Sequence, residues 1–512
     1  MRALLDSERT EWSGIPVRPI VLCALVVHLI AAWFNGGYLN ADEHYQIIEF
    51  AQYKLGHQSA AGLAWEFQAQ MRPALQPWLA TGAIRLAHAA GIQSPFLIAL
   101  GLRLLSTLLA LWVTLELCSR CLRTVTEPRL KLVGLLVALF LWVTPSLHGR
   151  FGAETWGGAL LAGGLCLMLD ASDAWPAQRA RSLRLASGAG LAWSAAFFCR
   201  FQVGAAIGGA GLWLLAVRRR RLAVLSTITG TFLVGGALNV LLDHWLYDTW
   251  TLTPYRYYVT NILQGKAATF GTEPWWMMAV YLTVLLIPPY SLAVLAVLSA
   301  GIWCARRHVL VWATMPFVLL HTVVSHKEPR FLAPIVFLIG PLLAISGDAL
   351  PARFKAAFLG WLRTRAGRTH LAAVCTLNLL LLSVVMFLPA SDTYRIDRWL
   401  WKRGQEGPFV LYTLDQWPTP FIGPIGPTSQ TFYGSGNVTL APITSADQLR
   451  AARIHRPAYV YYRGFDPPFL LASVGVCAPL QRGYPVWLAR LVSLIDAGKV
   501  QLETICRLDA TR

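Results

Sequence analysis

The chain has 512 residues, of which 55% are hydrophobic and only 14% charged, with 21 tryptophans. Soluble proteins carry about 25% charged residues, so the polar fraction here is too small to clothe a water-soluble globule of this length. A cytosolic enzyme, a secreted disulfide scaffold and a disordered chain are excluded, which leaves a polytopic membrane protein. The net charge of +18, from 44 Lys and Arg against 26 Asp and Glu, would also suit a nucleic-acid binder. Cytoplasmic loops of membrane proteins concentrate Lys and Arg, however, and that accounts for the excess. The expected partner is membrane lipid, and no nucleic acid is expected.

Runs of roughly 15 to 25 mostly apolar residues read as membrane spans. Eleven are placed, at about 17–34, 97–117, 131–147, 154–169, 185–199, 202–217, 222–241, 276–302, 309–324, 331–349 and 371–389. The fifth and sixth are short, and are either two spans or one kinked, re-entrant unit. Pro288-Pro289 predicts a break in the eighth. The loops between the spans sort by charge. Arg120, Arg123, Arg129 and Lys131 fall in one, and Arg179, Arg181 and Arg184 in the next but one. The alternation continues with Arg218 to Arg221, Arg306 and Arg307, and a last group of Arg353, Lys355, Arg363, Arg365 and Arg368. The positive-inside rule makes these loops and the N-terminal tail cytoplasmic. Residues 35–96, 148–153, 200–201, 243–275, 325–330 and all after 390 are then outside. The first span is expected to remain in place, because no small-residue cleavage site follows it.

The stretch from 391 differs in kind. Phe409-Val410-Leu411-Tyr412 and Tyr459-Val460-Tyr461-Tyr462 read as strands, with a Pro- and Gly-rich turn region at 417–427. A helix near 485–497 and a strand-like run at 500–506 follow. The expected organisation is an all-α membrane domain over 1–390 and a small extracytoplasmic α/β domain over 391–512. Most of the nine cysteines lie in apolar runs, as small buried hydrophobes do. Cys118 and Cys121 have no second pair nearby, so no metal site is expected. Cys477 and Cys506 share the outer tail, where they form either a disulfide or two free thiols.

The outer loops carry the chemistry. The loop 35–96 opens with Asn40-Ala41-Asp42-Glu43-His44-Tyr45-Gln46, directly after the first span, and Glu49 follows. In a helix starting near Asn40, Asp42 sits in the first turn, where the helix N-terminus favours its ionised form. Asp42 and Glu43 are there either as helix caps or as functional carboxylates. Loop 325–330 reads Ser325-His326-Lys327-Glu328-Pro329-Arg330 between two apolar spans. Such a density of charge at a membrane edge is costly unless paired or functional. His326, Lys327 and Arg330 together suit an anionic phosphate, with Arg as a planar fork and Lys as a point charge. Smaller outer loops add Arg150 and Glu154, then Arg200 and Gln202, and loop 243–275 adds Asp243, Tyr247, Tyr255, Asn261 and Trp275. A carboxylate, a cationic cluster and aromatic loops are what sugar transfer from a phosphate-linked lipid requires: a base for the acceptor hydroxyl and cations for the departing phosphate.

These segments resemble a known family. Ala41-Asp42-Glu43-His44-Tyr45-Gln46-Ile47-Ile48-Glu49 is similar to the first-loop motif of glycosyltransferase family 22, whose members are polyprenol-phosphate-mannose-dependent mannosyltransferases of the GT-C fold. His326-Lys327-Glu328-Pro329-Arg330-Phe331 is similar to its His-Lys-Glu-x-Arg-Phe hallmark. Asp243…Tyr247-Asp248-Thr249-Trp250…Thr253-Pro254-Tyr255 and Phe270-Gly271-Thr272-Glu273-Pro274-Trp275 match further. Within the family the likeness is to the members that add the third mannose of GPI anchors. The chain departs from it at Asp248 and Glu273, where Gly and His are usual. The Ala-, Arg- and Leu-rich composition points to a bacterial homologue, with an undecaprenyl-type donor and a site facing the periplasm.

The resemblance implies an inverting mannosyltransferase with a polyprenyl-phosphate sugar donor and a glycan or glycolipid acceptor. Asp42 would be the general base and Glu43 the reserve candidate. His326, Lys327 and Arg330, with Arg72 and Arg200, would neutralise the leaving phosphate. His44, Gln46, Arg150, Glu154, Asp243, Tyr247, Tyr255, Asn261 and Trp275 would face the acceptor or sugar. No cofactor or metal is required, because the leaving group is a lipid phosphate. The alternatives are a transporter or flippase of lipid-linked sugars, which also uses intramembrane charges, and a GT-C enzyme using another polyprenyl-phosphate sugar.

Overall fold

The structure is a computed structural model that describes residues 12, 14–218, 221–287, 290–414, 430–434, 436–452, 454, 457–495 and 502–509. The chain forms two compact units. One comprises residues 1–35, 66–80 and 101–387, the other 36–65, 81–100 and 388–512.

The first unit is helical. Its helices are α1 (Val17–Phe34), α2 (Pro95–Cys121) from Gly101 onward, α3 (Pro128–Phe140), α4 (Ala153–Ala174), α5 (Arg179–Cys199), α6 (Gly204–Ala216) and α7 (Leu222–Tyr247). After these come α8 (Met277–Leu285), α9 (Ser291–Cys304), α10 (Val309–Val323), α11 (Val336–Ala349) and α12 (Arg365–Phe387). Segments 17–34, 95–124, 222–247, 329–349 and 365–387 are long and apolar enough to cross a membrane, and 201–216, 294–304 and 309–323 are shorter apolar helices. The protein is an integral, multi-pass membrane protein.

Several expected spans are interrupted. The run at 131–147 is α3 followed by a separate helix Thr144–His148, with Leu141 non-helical between them (ψ 132°) and Pro145 in the first turn of the second. Pro is tolerated there because its missing N–H would have no partner in any case. The break expected at Pro288-Pro289 falls between α8 and α9, although the two prolines are outside the described residues. The fifth and sixth runs are two helices, joined through Arg200 in extended conformation and a 3-10 turn, Phe201–Val203.

Close packing of this unit depends on small residues. Helix α5 packs against α4 and α7, α3 packs on α11, and α6 on α10. Gly190 of α5 faces the Ile228 carbonyl of α7, and Gly340 of α11 faces the Gly134 carbonyl of α3. A Cβ at either position would overlap backbone. Without a hydrophobic drive between helices in lipid, such close approach is what holds them together.

The second unit contains a five-stranded sheet, ordered β2-β1-β3-β5-β4. The strands are β1 (Phe409–Thr413), β2 (Val438–Pro442), β3 (Ala458–Arg463), β4 (Ala478–Arg482) and β5 (Glu503–Leu508). β1 runs parallel to both β2 and β3, whereas β5 is antiparallel to β3 and β4. Strand alternation sorts the two faces. Leu411, Tyr461 and Ile505 pack with Ile396 and Leu400 of helix α13 (Thr393–Gln405), while Val460, Tyr462, Cys506 and Leu508 pack with Leu449 of α14 (Ala446–Ala452). Helix α13 turns its Arg398 and Lys402 outward, the polar face of an amphipathic helix. The helix expected near 485–497 is α15 (Val486–Ile495), and the expected last strand begins later, at Glu503. The turn region 417–427 and residues 496–501 lie outside the described residues. Cys477 and Cys506 form a disulfide, with Cα atoms 5.4 Å apart.

Candidate functional site

In the second unit, the Asp42 segment starts as a short helix, Ala41–Glu43, continues as a π-helix, His44–Ile48, and returns to α-helix at Glu49–Lys54. Its N-cap is Asn40, whose side chain accepts the Asp42 N–H at 2.9 Å. Glu43 reaches back past the N-cap to accept the Leu39 N–H at 3.3 Å. Asn40 therefore caps this helix. Asp42 is half-buried in the first turn, where backbone N–H groups favour a carboxylate. His44 and Gln46 are buried. The His44 ring lies between Tyr38 and Tyr433, stacked at 5.3 and 5.4 Å, and its Nε2 is 2.9 Å from Glu49 Oε1.

In the first unit, the basic residues gather around acidic partners that the pattern of cations alone did not reveal. Arg200 is only 5% exposed. Its Nη1 lies 3.1 Å from Glu154 Oε1, and its guanidinium sits 4.9 Å from the centre of the Phe331 ring. Among the described residues, neither its Nε nor its Nη2 has a hydrogen-bond partner. Two dry donor nitrogens on a buried cation are costly unless a ligand satisfies them. Arg330 lies 3.6 Å from the same Glu154 oxygen, is held by both oxygens of Glu328, and also stands over Phe331. Glu154, expected to face the acceptor or sugar, thus also bridges Arg200 and Arg330.

The rest of the 325–330 loop is tied down. His326 donates from Nδ1 to the Gly271 carbonyl at 2.9 Å, and its Nε2 meets Glu328 at 3.0 Å. Lys327 is buried and donates to the carbonyls of Glu273 (3.1 Å) and Val324. Val324 caps the C-terminus of α10, where unpaired carbonyls attract a cation. In return the Glu273 N–H donates to the Ser325 carbonyl at 2.9 Å, and the Tyr281 hydroxyl donates to the Glu273 carboxylate. Lys327 thereby stitches loop 271–275 to the end of α10.

The remaining candidates divide by exposure. Arg72 lies 3.6 Å from Glu66 and over the Tyr257 ring, whose hydroxyl accepts from Gln202 at 2.8 Å. Tyr247 donates to the Arg72 carbonyl at 2.6 Å. Asp243 is fully buried and accepts from the Ala74 N–H and the Thr253 hydroxyl at 2.9 and 2.7 Å, fastening two loops to α7. Asn261 is buried against Met71. Arg150 is buried and donates to the Asn35 carbonyl. Tyr255 and Trp275 are 60% and 72% exposed, as aromatic side chains at a ligand or membrane surface would be. Asp248 is the C-cap of α7, at φ +55°, a left-handed conformation that suits Gly and that Asp tolerates.

Sequence reasoning passed over Glu66, and gave Glu49 and Glu328 no role. The available signal was an acid within a few residues of a candidate cation or base.

A family model described as the Alg9-like mannosyltransferase family matches residues 19–395. The chain is similar to the mannosyltransferase APTG1 of Arabidopsis thaliana, with 24% identity over 341 residues, covering 63% of this chain and 57% of that protein. It is also similar to GPI mannosyltransferase 3 of Yarrowia lipolytica, with 24% identity over 307 residues, covering 58% and 56%. It spans a little over half the length of these relatives. Among solved structures, ArnT from Cupriavidus metallidurans bound to undecaprenyl phosphate shares the fold, with a TM-score of 0.50 at 13% identity, covering 96% of this chain and 97% of that one. The match over most of its length shows that the chain belongs to the Alg9-like mannosyltransferase family.

Proposed function

We propose that this protein is an inverting membrane glycosyltransferase that moves mannose from a polyprenyl-phosphate donor to a glycan or glycolipid acceptor. We read it as a bacterial inner-membrane enzyme with eleven spans, working on the periplasmic face. The alternation of Lys and Arg among the loops supports that orientation. The observation that carries the reading is Arg200, a buried cation whose Nε and Nη2 have no hydrogen-bond partner among the described residues, paired through Glu154 with a second guanidinium. Such a pair suits the phosphate that leaves with its lipid. The names of the relatives support mannose, and the undecaprenyl phosphate bound to ArnT supports the lipid.

In this mechanism the acceptor hydroxyl oxygen attacks the anomeric carbon as its proton passes to Asp42. The bond from that carbon to the phosphate oxygen breaks, and the phosphate departs with the bonding electrons. Arg200 and Arg330 stabilise its charge. A single displacement inverts configuration, so a β-linked donor yields an α-linkage. Lys327 and His326 hold the loop that carries Arg330.

The test offers the purified protein a panel of undecaprenyl-phosphate sugars with octyl α-mannoside as acceptor, and measures release of undecaprenyl phosphate. Release from the mannosyl donor alone is expected. Asp42→Asn keeps the side chain's shape and removes its basicity, and should lower turnover roughly 10²- to 10⁴-fold with undecaprenyl phosphate binding intact. Wild-type turnover in that variant would remove Asp42 as the base.

A further inference from the structure

Beyond Asp42 and Glu43, the same segment contains a further carboxylate that the transfer chemistry does not use. Glu49 is completely buried. A buried carboxylate persists only with partners, and beside the nearby His44 and Gln58, Glu49 draws Thr431 and Phe432 from far along the chain. Its Oε1 accepts the backbone N–H groups of Thr431 and Phe432, both at 3.0 Å, and lies 2.9 Å from His44 Nε2. Its Oε2 accepts the Thr431 hydroxyl at 2.7 Å and Gln58 Nε2 at 3.4 Å. Burial pushes the Glu49 carboxyl up, but the hydrogen bonds and charge at His44 and the donors at 431–432 outweigh it and hold it below its ordinary value.

Other contacts fix the same junction. Tyr45 donates to Gln430 at 3.4 Å. Tyr433 stacks on His44 and, at 5.0 Å, on Phe96. Between Asp42 and Glu49 the backbone is a π-helix, a rare winding that needs outside support and recurs at functional sites. Residues 44–48 thus lie between Asp42 and Glu49, which is nearly two turns further along the helix and is held by the 430–434 segment.

We propose that Glu49 is a positioning residue whose carboxylate clasps Thr431, Phe432 and His44 and thereby sets the place of Asp42. The segment 430–434 is then part of the support of the first outer loop. This inference rests on Asp42 being the base. The chemistry at Asp42 demands such support, since displacing a reacting group by about 1 Å can cost about 10²-fold in rate.

Glu49→Gln and Thr431→Val test it in the full chain, with the mannosyl undecaprenyl phosphate donor and octyl α-mannoside. Equilibrium binding of undecaprenyl phosphate first counts the competent molecules, so that kcat is expressed per binding site. Glu49→Gln is expected to lower that kcat roughly 10- to 100-fold with the Kd for undecaprenyl phosphate within about twofold of wild type. Thr431→Val keeps its backbone N–H and should lower it less, about 3- to 10-fold. Adding Glu49→Gln to Asp42→Asn should cost little more than Asp42→Asn alone, because Glu49 acts through Asp42. Multiplied losses in the double variant would overturn the inference. So would activity that falls only in proportion to lost binding sites, or wild-type kcat in both single variants. Asp42→Asn alone decides whether Asp42 is the base, so the two readings fail separately.

Discussion

Arg200→Lys is the sharpest probe of the phosphate site. The guanidinium spends one arm, Nη1, on Glu154 at 3.1 Å, and its Nε and Nη2 are available. Lysine keeps the charge and the reach but replaces a fork by a point, so at least one charge-assisted hydrogen bond to a phosphate oxygen is lost. Such a bond contributes about 1.5–3 kcal/mol, which raises the Kd for undecaprenyl phosphate roughly 10- to 150-fold. Glu154→Gln should act in the opposite direction on binding, because it removes the carboxylate that competes for both guanidiniums. It should also lower thermal stability, since the buried Arg200 loses its counter-charge at a cost of about 3 kcal/mol. Equilibrium binding of labelled undecaprenyl phosphate in nanodiscs, beside thermal unfolding, reads both signs. Wild-type affinity in Arg200→Lys would refute the reasoning, and so would a Glu154→Gln variant that binds as weakly as Arg200→Lys.

Three further outcomes follow from the second unit. Cys506→Ser opens a loop with a sequence separation of 29, and should destabilise this unit by about 3.5 kcal/mol on the chain-entropy account; an unchanged Tm in the variant would contradict that. Burial raises the Asp397 carboxyl from 3.8 to about 6, against the opposing hydrogen bonds from Gln430 and Thr393 and the His44 charge. Its raised value means that stability is fully present below pH 4 and is lost as pH rises through 6, by up to about 3 kcal/mol. Asp397→Asn should remove this slope from Tm measured between pH 4 and 8, and a slope left intact would assign it to other groups. Gly436→Cys, placed in a background stripped of the exposed Cys23, Cys304 and Cys375, should react with an impermeant maleimide from outside; labelling only after permeabilisation would invert the topology.

What the sequence determined by itself is what short stretches encode. The first span is predicted at 17–34 and observed at Val17–Phe34, because an apolar run of that length needs no partner to become a helix in lipid. Phe409–Thr413 and Ala458–Arg463 are strands for a similar reason, their alternating side chains serving two faces of a sheet. The charged run 326–330 was legible because ionisable groups are rare between apolar helices, and the family resemblance followed from residues adjacent in the chain.

Only the tertiary structure decided which charges meet. Lys327 looks like a phosphate ligand in one dimension, and in three it holds the carbonyls of Glu273 and Val324. Glu154 stands in the sequence beside Arg150 alone, and in three dimensions it bridges Arg200 and Arg330. Glu49 lies 382 residues from the Thr431 amide that it accepts, and the sheet order β2-β1-β3-β5-β4 brings the last strand between two earlier ones. Hydropathy and periodicity are summed over neighbours along the chain. A hydrogen bond or an ion pair depends on a few ångströms between segments that the chain alone does not bring together, and that distance is settled when the helices and the sheet pack.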